Sequence, residues 1–477
     1  MDFVIHRFRG KTFVSRCDAA FARVLLSFSL YTNGLRIFNT RTKSGQISCV
    51  HGIRVLSMFW IIFGHTYYWG IPYLNNLMDG YKLPNNIANQ ILLNGSLSVD
   101  PFFFLSGMLL TYLWLKNVSS SMDKIKSWNL WLKYYLHRYL RLTPVYMIVL
   151  AFNADTLRFV TDGPMWSQNG FEPNYCANSW WTNALYINNF IHDEECMTWS
   201  WYLANDMQFY MLAPIILLLF IRFVPTPSFN MLFNVFVLLG IRYFRSLSSL
   251  RSFLQAASFV HGLFSTTIGL LSHFSQLTRK SWFHCNCMSL FHCISFRFEI
   301  FDLFWDQVYI KPYTRCAPFL IGILVGYFLC KTKMSVQIPK ALVAFCWILN
   351  TALGLVIVFG LCDYSRTNQI SFAWRLIYSA FGRTVWSVVI AWVTFACATG
   401  YGGKVSSGPV NTFLSWKVWT PLSRLVYSAY LIHPVLIRSY YASQNRPMHF
   451  GDHFQMVTIS ICSVGNEVQS EWMLALG

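Results

Sequence analysis

The sequence predicts an all-α, polytopic integral membrane helical bundle of about nine to ten transmembrane helices. Apolar residue types make up 55% of the 477 residues and charged types only 12%, whereas soluble domains contain about a quarter charged residues. The apolar residues also form nine runs near the length of about 20 residues that crosses a bilayer core. These runs lie at 52–72, 91–115, 138–153, 199–221, 229–244, 315–330, 341–361, 379–398 and 419–441.

Charge between the runs predicts their orientation and argues against nucleic acid as a partner. Lys and Arg outnumber Asp and Glu by 37 to 19, but the basic residues cluster between apolar runs, as in cytoplasmic membrane loops. Residues 1–54 have nine basic and two acidic side chains, and loop 116–141 has six and one. Loop 153–198 has one basic and six acidic side chains. We therefore expect the first two segments in the cytosol and the third outside.

Three regions are predicted: a cytoplasmic N-terminal segment at 1–50, a multi-pass membrane domain at 51–441 and a C-terminal tail at 442–477. Residues 245–298 interrupt the membrane domain as an anomalous, Ser-rich and basic insertion. The insertion contains three Cys and four His, but their spacing matches no standard pair of zinc ligands. We therefore expect no metal site.

Two cysteines, Cys176 and Cys196, lie in the loop that is expected outside. Thiols on an oxidising face of the membrane can form a disulfide. We interpret the two as a disulfide, with two free thiols as the alternative.

The first run places Arg54 near its cytoplasmic end and His65 within the bilayer. Eleven residues separate them, so a helix directs both side chains to one face, about 16 Å apart along its axis. Asp100 and Asp206, in the second and fourth runs, are expected at the depth of His65. One histidine and two carboxylates in one layer predict general acid–base chemistry. A structural polar network between helices is the alternative.

Two further arginines, Arg138 and Arg141, are neighbours on one helix face at the inner end of the third run. Together with Arg54 they predict a cationic mouth for the phosphates of a coenzyme A thioester. Binding of lipid head groups is the alternative. His433, which precedes Pro434, is interpreted as a polar contact at a helix kink, with lining of the same cavity as the alternative.

The Arg54–His65 helix, the Arg138–Arg141 pair and residues 200–203 together resemble the membrane acyltransferase 3 family. The animal nose resistant to fluoxetine branch is the most similar. Other stretches that resemble this branch lie at 28–34, 99–103, 180–190, 309–315, 400–403 and 421–434. The resemblance implies that Arg54 and His65 are essential to acyl transfer and that the paired arginines belong to the same site.

The function implied is a membrane-bound acyltransferase that moves an acyl group from a cytosolic acyl-CoA-type donor to a hydroxyl acceptor. His65 is the expected general base, aided by Asp100 or Asp206, and the three arginines bind the donor. Expected partners are acyl-CoA, membrane lipids and a small-molecule or lipid acceptor, with no bound cofactor. The resemblance favours the plasma membrane over an endomembrane. A lipid or xenobiotic transporter without acyl chemistry is the alternative, and a receptor that binds a partner through loop 153–198 is the weakest hypothesis.

The sequence departs from the family pattern at 1–27, 245–298 and 453–477. From these departures we expect a truncated or mispredicted gene product, with unspliced sequence at 245–298. Sequencing the mature transcript across that stretch tests this expectation, because an intron would be absent from it.

Overall fold

The computed structural model describes residues 29–41, 45–118, 127–160, 162–166, 171, 175–191, 195–223, 305–367, 370–401 and 408–449. The fold of these residues is helical, and ten of the α-helices have nine or more residues. In chain order they are α1 (Leu30–Phe38), α2 (Cys49–Gly70), α3 (Asp100–Val118), α4 (Trp128–Ala151), α5 (Tyr175–Ala184), α6 (Trp201–Phe223), α7 (Pro312–Lys331), α8 (Lys340–Phe359), α9 (Phe372–Ala398) and α10 (Trp419–Ala442). The run at 229–244 and the insertion at 245–298 lie outside the described residues.

Six helical spans of the described chain are long and apolar enough to cross a membrane. They are Cys49–Tyr73, Gly95–Asn117, Thr198–Leu219, Trp305–Lys331, Lys340–Thr367 and Ala373–Ala398. This composition is consistent with an integral, multi-pass membrane protein. The helices α4 and α10, of 24 residues each, correspond to two more predicted runs, but they are too polar to meet the same criterion.

Two of the predicted boundaries that differ from the structure belong to helices beside the cavity, α3 and α4. The run at 91–115 was expected as one helix, but a short helix at Gln90–Leu93 and a 3-10 turn at Gly95–Val99 precede α3. Asn94 lies at this break, and its side-chain amide donates to the carbonyls of Gln90 (3.1 Å) and Val358 (2.8 Å). The other difference is that α4 begins at Trp128, ten residues before the run at 138–153. Its first turns combine exposed apolar side chains such as Trp128 and Leu132 with Lys133 and His137, so the helix continues beyond the apolar run.

The helices α3 and α7 pack closely along a glycine seam, formed by Gly107 on α3 and by Gly322 and Gly326 on α7. A Cβ atom at Gly322 would overlap the carbonyl oxygen of Phe104, and one at Gly326 would overlap that of Met108. Small residues in this spacing let the backbones of membrane helices touch. The seam therefore sets the position of α3 beside the cavity described below.

The segment before α6 is held by covalent and polar contacts. A disulfide joins Cys176 of α5 to Cys196. The Asn183 amide donates to the Cys196 carbonyl and to the Tyr146 hydroxyl of α4, both at 2.7 Å. These contacts tie α4, α5 and the beginning of α6 together, which positions the polar residues of α6.

Candidate functional site

A cavity of about 1660 Å³ lies between α2, α3, α4, α6 and α10. Five of the predicted site residues line it: Arg54, His65, Arg138, Arg141 and Asp206. Arg54 and His65 share one wall, as their spacing on a single helix predicts. The volume exceeds the roughly 300–1,000 Å³ of an ordinary ligand pocket, so the cavity has room for more than one drug-sized molecule.

One end of the cavity contains a hydrogen-bonded carboxylate on α6. Asp206 accepts a hydrogen bond from the Arg138 guanidinium of α4 and another, of 2.7 Å, from the Ser106 hydroxyl of α3. The Arg138 guanidinium also lies 4.1 Å above the ring centre of Tyr210. Three helices thus converge on Asp206, which orients Arg138 along the cavity wall.

Two tyrosines fix α4 against α6 at this point. The rings of Tyr134 and Tyr210 stack at 4.2 Å with a 5° angle between their planes. Each hydroxyl donates to the other residue's carbonyl oxygen, at 3.1 and 3.2 Å. The pair limits sliding between the two helices, so the contact between Arg138 and Asp206 keeps its register.

The other two cavity arginines, Arg54 and Arg141, make no hydrogen bond or ion pair within the described part of the chain. Arg54 is partly buried, Arg141 is exposed, and they are close enough to interact electrostatically with each other. Asp206, the nearby carboxylate, already pairs with Arg138. The site therefore has an excess of positive charge, which is suited to an anionic ligand.

Away from Asp206, the cavity residue His65 contacts a second histidine. Its Nδ1 lies 2.7 Å from Nε2 of His433 on α10. The ring centres are 5.0 Å apart and the ring planes differ by 12°. His433 is fully buried, and neither interpretation of the sequence, a polar contact at a helix kink or lining of the cavity, placed it against His65.

The structure separates His65, Asp100 and Asp206, which the sequence placed in one layer. Asp100 is fully buried and pairs with Arg315 of α7, Oδ1 to Nη1 at 3.2 Å. Asp206 is level with Ser106, which is six residues, or about 9 Å of helix rise, further along α3. The prediction assumed that α3 begins near residue 91. Because it begins at Asp100, that carboxylate is at the helix end.

Sequence reasoning missed Arg315 as the partner of Asp100 and Ser106 as a partner of Asp206. The signal for Arg315 was present, since an arginine at the edge of an apolar run needs a charged or polar partner in the bundle. Its guanidinium also stacks on Trp201 and Tyr309, at 4.9 and 4.3 Å. Ser106 has no such signal, because serine is common in membrane helices.

The apolar helices, the buried polar cavity and its excess of arginine define a class, the multi-pass membrane proteins with an internal site for a charged ligand. The match to an acyltransferase domain, over residues 47–465, identifies the particular group. The chain belongs to the acyltransferase 3 family.

Two curated relatives from Caenorhabditis elegans are similar to the chain. Nose resistant to fluoxetine protein 6 is 35% identical over 462 residues, which cover 93% of this chain and 51% of the relative. Regulator of hypoxia-inducible factor 1 is 25% identical over 407 residues, covering 82% of this chain and 70% of the relative. The chain thus spans about half the length of the first relative. No solved structure matches it.

Proposed function

We propose that the protein is a membrane-bound acyltransferase that moves an acyl group from a cytosolic acyl-CoA-type donor to a hydroxyl acceptor. The observation that supports it is one shared cavity, which is lined by His65 and by the three arginines Arg54, Arg138 and Arg141. A base and a cluster of cations in one space suit a reaction between a hydroxyl group and a phosphate-bearing thioester. The family of the chain supports the same chemistry.

The arginines bind the donor in this proposal. Arg54 and Arg141, which lack ion-pair partners in the described chain, contact the phosphates of the coenzyme. Arg138 completes the cation cluster in an orientation fixed by Asp206. Asp206 therefore acts through Arg138. Asp100 is fully buried in its ion pair with Arg315, so it takes no part in the chemistry.

His65 is the proposed general base. It accepts the proton of the acceptor hydroxyl while the hydroxyl oxygen forms a bond to the thioester carbonyl carbon. The carbon–sulfur bond then breaks, and the proton moves from His65 to the leaving thiolate. The products are an ester and the free thiol, so no cofactor or metal is needed. We place the reaction in the plasma membrane in preference to an endomembrane.

Transport of a lipid or xenobiotic is the second candidate function. The observation that favours it is the size of the cavity, about 1660 Å³, which could hold a large molecule without covalent chemistry. The two functions differ in what they require of His65. A base must accept a proton, whereas a lining residue needs only its shape and polarity.

Transfer of a radiolabelled acyl group tests the proposal. Membranes containing the protein are incubated with labelled acetyl-CoA or palmitoyl-CoA, and label in membrane lipids and small molecules is counted. We expect His65→Ala and His65→Gln to lower transfer by about 10²–10⁴-fold, the usual contribution of a general base.

The matched control is His449→Ala, which makes the same change at an exposed histidine outside the cavity lining. We expect it to retain the wild-type rate at equal protein abundance. Transfer that survives His65→Gln would overturn the role of His65. A well-folded wild-type protein without transfer would refute acyl chemistry and favour transport.

A further inference from the structure

His433 has no assigned role in the proposed reaction, although it touches the proposed base. It is fully buried on α10, and its Nε2 is 2.7 Å from Nδ1 of His65. The cavity lining includes His65 but not His433. His433 therefore lies behind the base, on the side away from the substrates.

The hydrogen bonds of His433 determine where its proton is. Nδ1 of His433 lies 2.9 Å from the carbonyl oxygen of Ala429. A carbonyl oxygen only accepts, so Nδ1 is the nitrogen that has the hydrogen. A neutral imidazole has one such hydrogen, which leaves Nε2 of His433 as an acceptor.

The same reasoning determines the tautomer of His65. Since Nε2 of His433 accepts, Nδ1 of His65 must donate across the 2.7 Å contact. The remaining nitrogen of His65, Nε2, then has a lone pair. This tautomer is the one that a general base needs, provided that His433 is neutral. No ion pair joins His433 to a carboxylate within the described residues, and an unpaired buried charge is unfavourable.

The position of His433 is fixed from both sides along α10. The Tyr430 hydroxyl donates to the Trp199 carbonyl oxygen, and the Tyr441 hydroxyl donates to the Thr66 carbonyl oxygen at 2.8 Å. Pro434 has no N–H, so its ring interrupts the helix hydrogen bonds next to His433. The helix thus holds the imidazole in one place relative to α2.

We propose that His433 is a positioning residue, which holds His65 in the tautomer and orientation that direct its basic Nε2 into the cavity. The inference rests on the proposed acyl transfer. When His65 takes the proton of the acceptor hydroxyl, both of its nitrogens have a hydrogen. His433 then accepts the Nδ1 hydrogen bond of the charged ring, which is the task of the carboxylate in a Ser-His-Asp triad. The proton leaves His65 Nε2 with the thiolate, so His433 neither gains nor loses one.

Two amide substitutions separate positioning from a merely structural role. In His433→Gln the amide oxygen lies near the place of Nε2 and can accept from His65. In His433→Asn the amide nitrogen lies near the place of Nδ1 and keeps the bond to Ala429, but nothing reaches His65. We expect His433→Gln to stay within about tenfold of wild type and His433→Asn to lose about 10²-fold or more.

Turnover and donor affinity are measured with labelled acetyl-CoA at matched abundance of monodisperse protein. We expect the loss in His433→Asn to fall on kcat, with KM for acetyl-CoA unchanged, because the donor does not touch His433. We also expect His65→Ala combined with His433→Asn to be no slower than His65→Ala alone, because the two residues act as one unit.

The outcomes distinguish this inference from the proposed function. A wild-type protein without transfer refutes the proposed function, and the inference with it. An active wild type with equal turnover in His433→Asn and His433→Gln overturns the inference alone. Additive losses in the double variant overturn it as well.

Discussion

Among the described residues, two ion pairs each join an aspartate to an arginine, but their surroundings differ. The sealed pair, Asp100 with Arg315, has side chains that are 0% exposed. The cavity pair, Asp206 with Arg138, has side chains that are 12% and 20% exposed. A sealed ion pair has no access to a ligand, so its role is to hold α3 against α7. The cavity pair can hold its helices and face a substrate as well. Exposure to a cavity, more than residue type, separates a structural charge from a functional one.

Breaking the sealed pair should have the largest effect on stability. Asp100→Asn leaves the guanidinium of Arg315 buried without a counter-charge, which costs about 3–5 kcal/mol. The check is thermal unfolding of the purified protein in detergent. We expect the double change Asp100→Asn with Arg315→Met to recover part of the loss, because it removes the unpaired charge. Equal destabilisation in the single and double variants would contradict a role for the pair.

Breaking the cavity pair should affect stability less and donor binding more. Asp206→Asn leaves Arg138 beside a cavity in which water can solvate it, so we expect a loss of less than about 2 kcal/mol. The freed guanidinium should leave its place in the cation cluster and raise KM for acyl-CoA about tenfold, which corresponds to 1.4 kcal/mol. If Asp206→Asn destabilised the protein as much as Asp100→Asn, the distinction between the pairs would fail.

Removing one unpaired cation should have the smallest effect. Arg141→Gln changes an exposed residue, so we expect stability to stay within about 0.5 kcal/mol. KM for acyl-CoA should rise about fivefold at low salt and less at high salt, since exposed charges are screened. The matched control is Lys133→Gln, which removes one charge from the exposed side of α4 outside the cavity lining. An equal rise in KM in Arg141→Gln and Lys133→Gln would indicate that Arg141 attracts the donor only through the net charge of the protein and makes no specific contact with it.

The sequence predicted the helices wherever a local pattern determined them. The apolar run at 52–72 became α2 at Cys49–Gly70, and the run at 199–221 became α6 at Trp201–Phe223. The common wall of Arg54 and His65 was predictable for the same reason, because the spacing of residues on one helix depends only on helix geometry.

Pairing between helices was not predictable, because it depends on which helices are neighbours in space. Asp100 and Arg315 are 215 residues apart in the chain, and His65 and His433 are 368 apart. Spacing arguments compare residues within one element, so they contain no information on such pairs. Such arguments placed Asp100 at the depth of His65, because nothing in the sequence indicates that Arg315 is its neighbour.

The glycine seam between α3 and α7 has a mechanical consequence. Helices whose backbones touch along Gly107, Gly322 and Gly326 cannot slide without lifting apart, so the two move as a single rigid body. Entry of a bulky substrate must then displace another wall of the cavity. Another wall of the cavity is α4, which is attached to α6 by the Tyr134–Tyr210 ring stack with its two hydrogen bonds and by the ion pair between Arg138 and Asp206. The α3–α7 unit is thus the fixed frame of the cavity, against which its other walls would move.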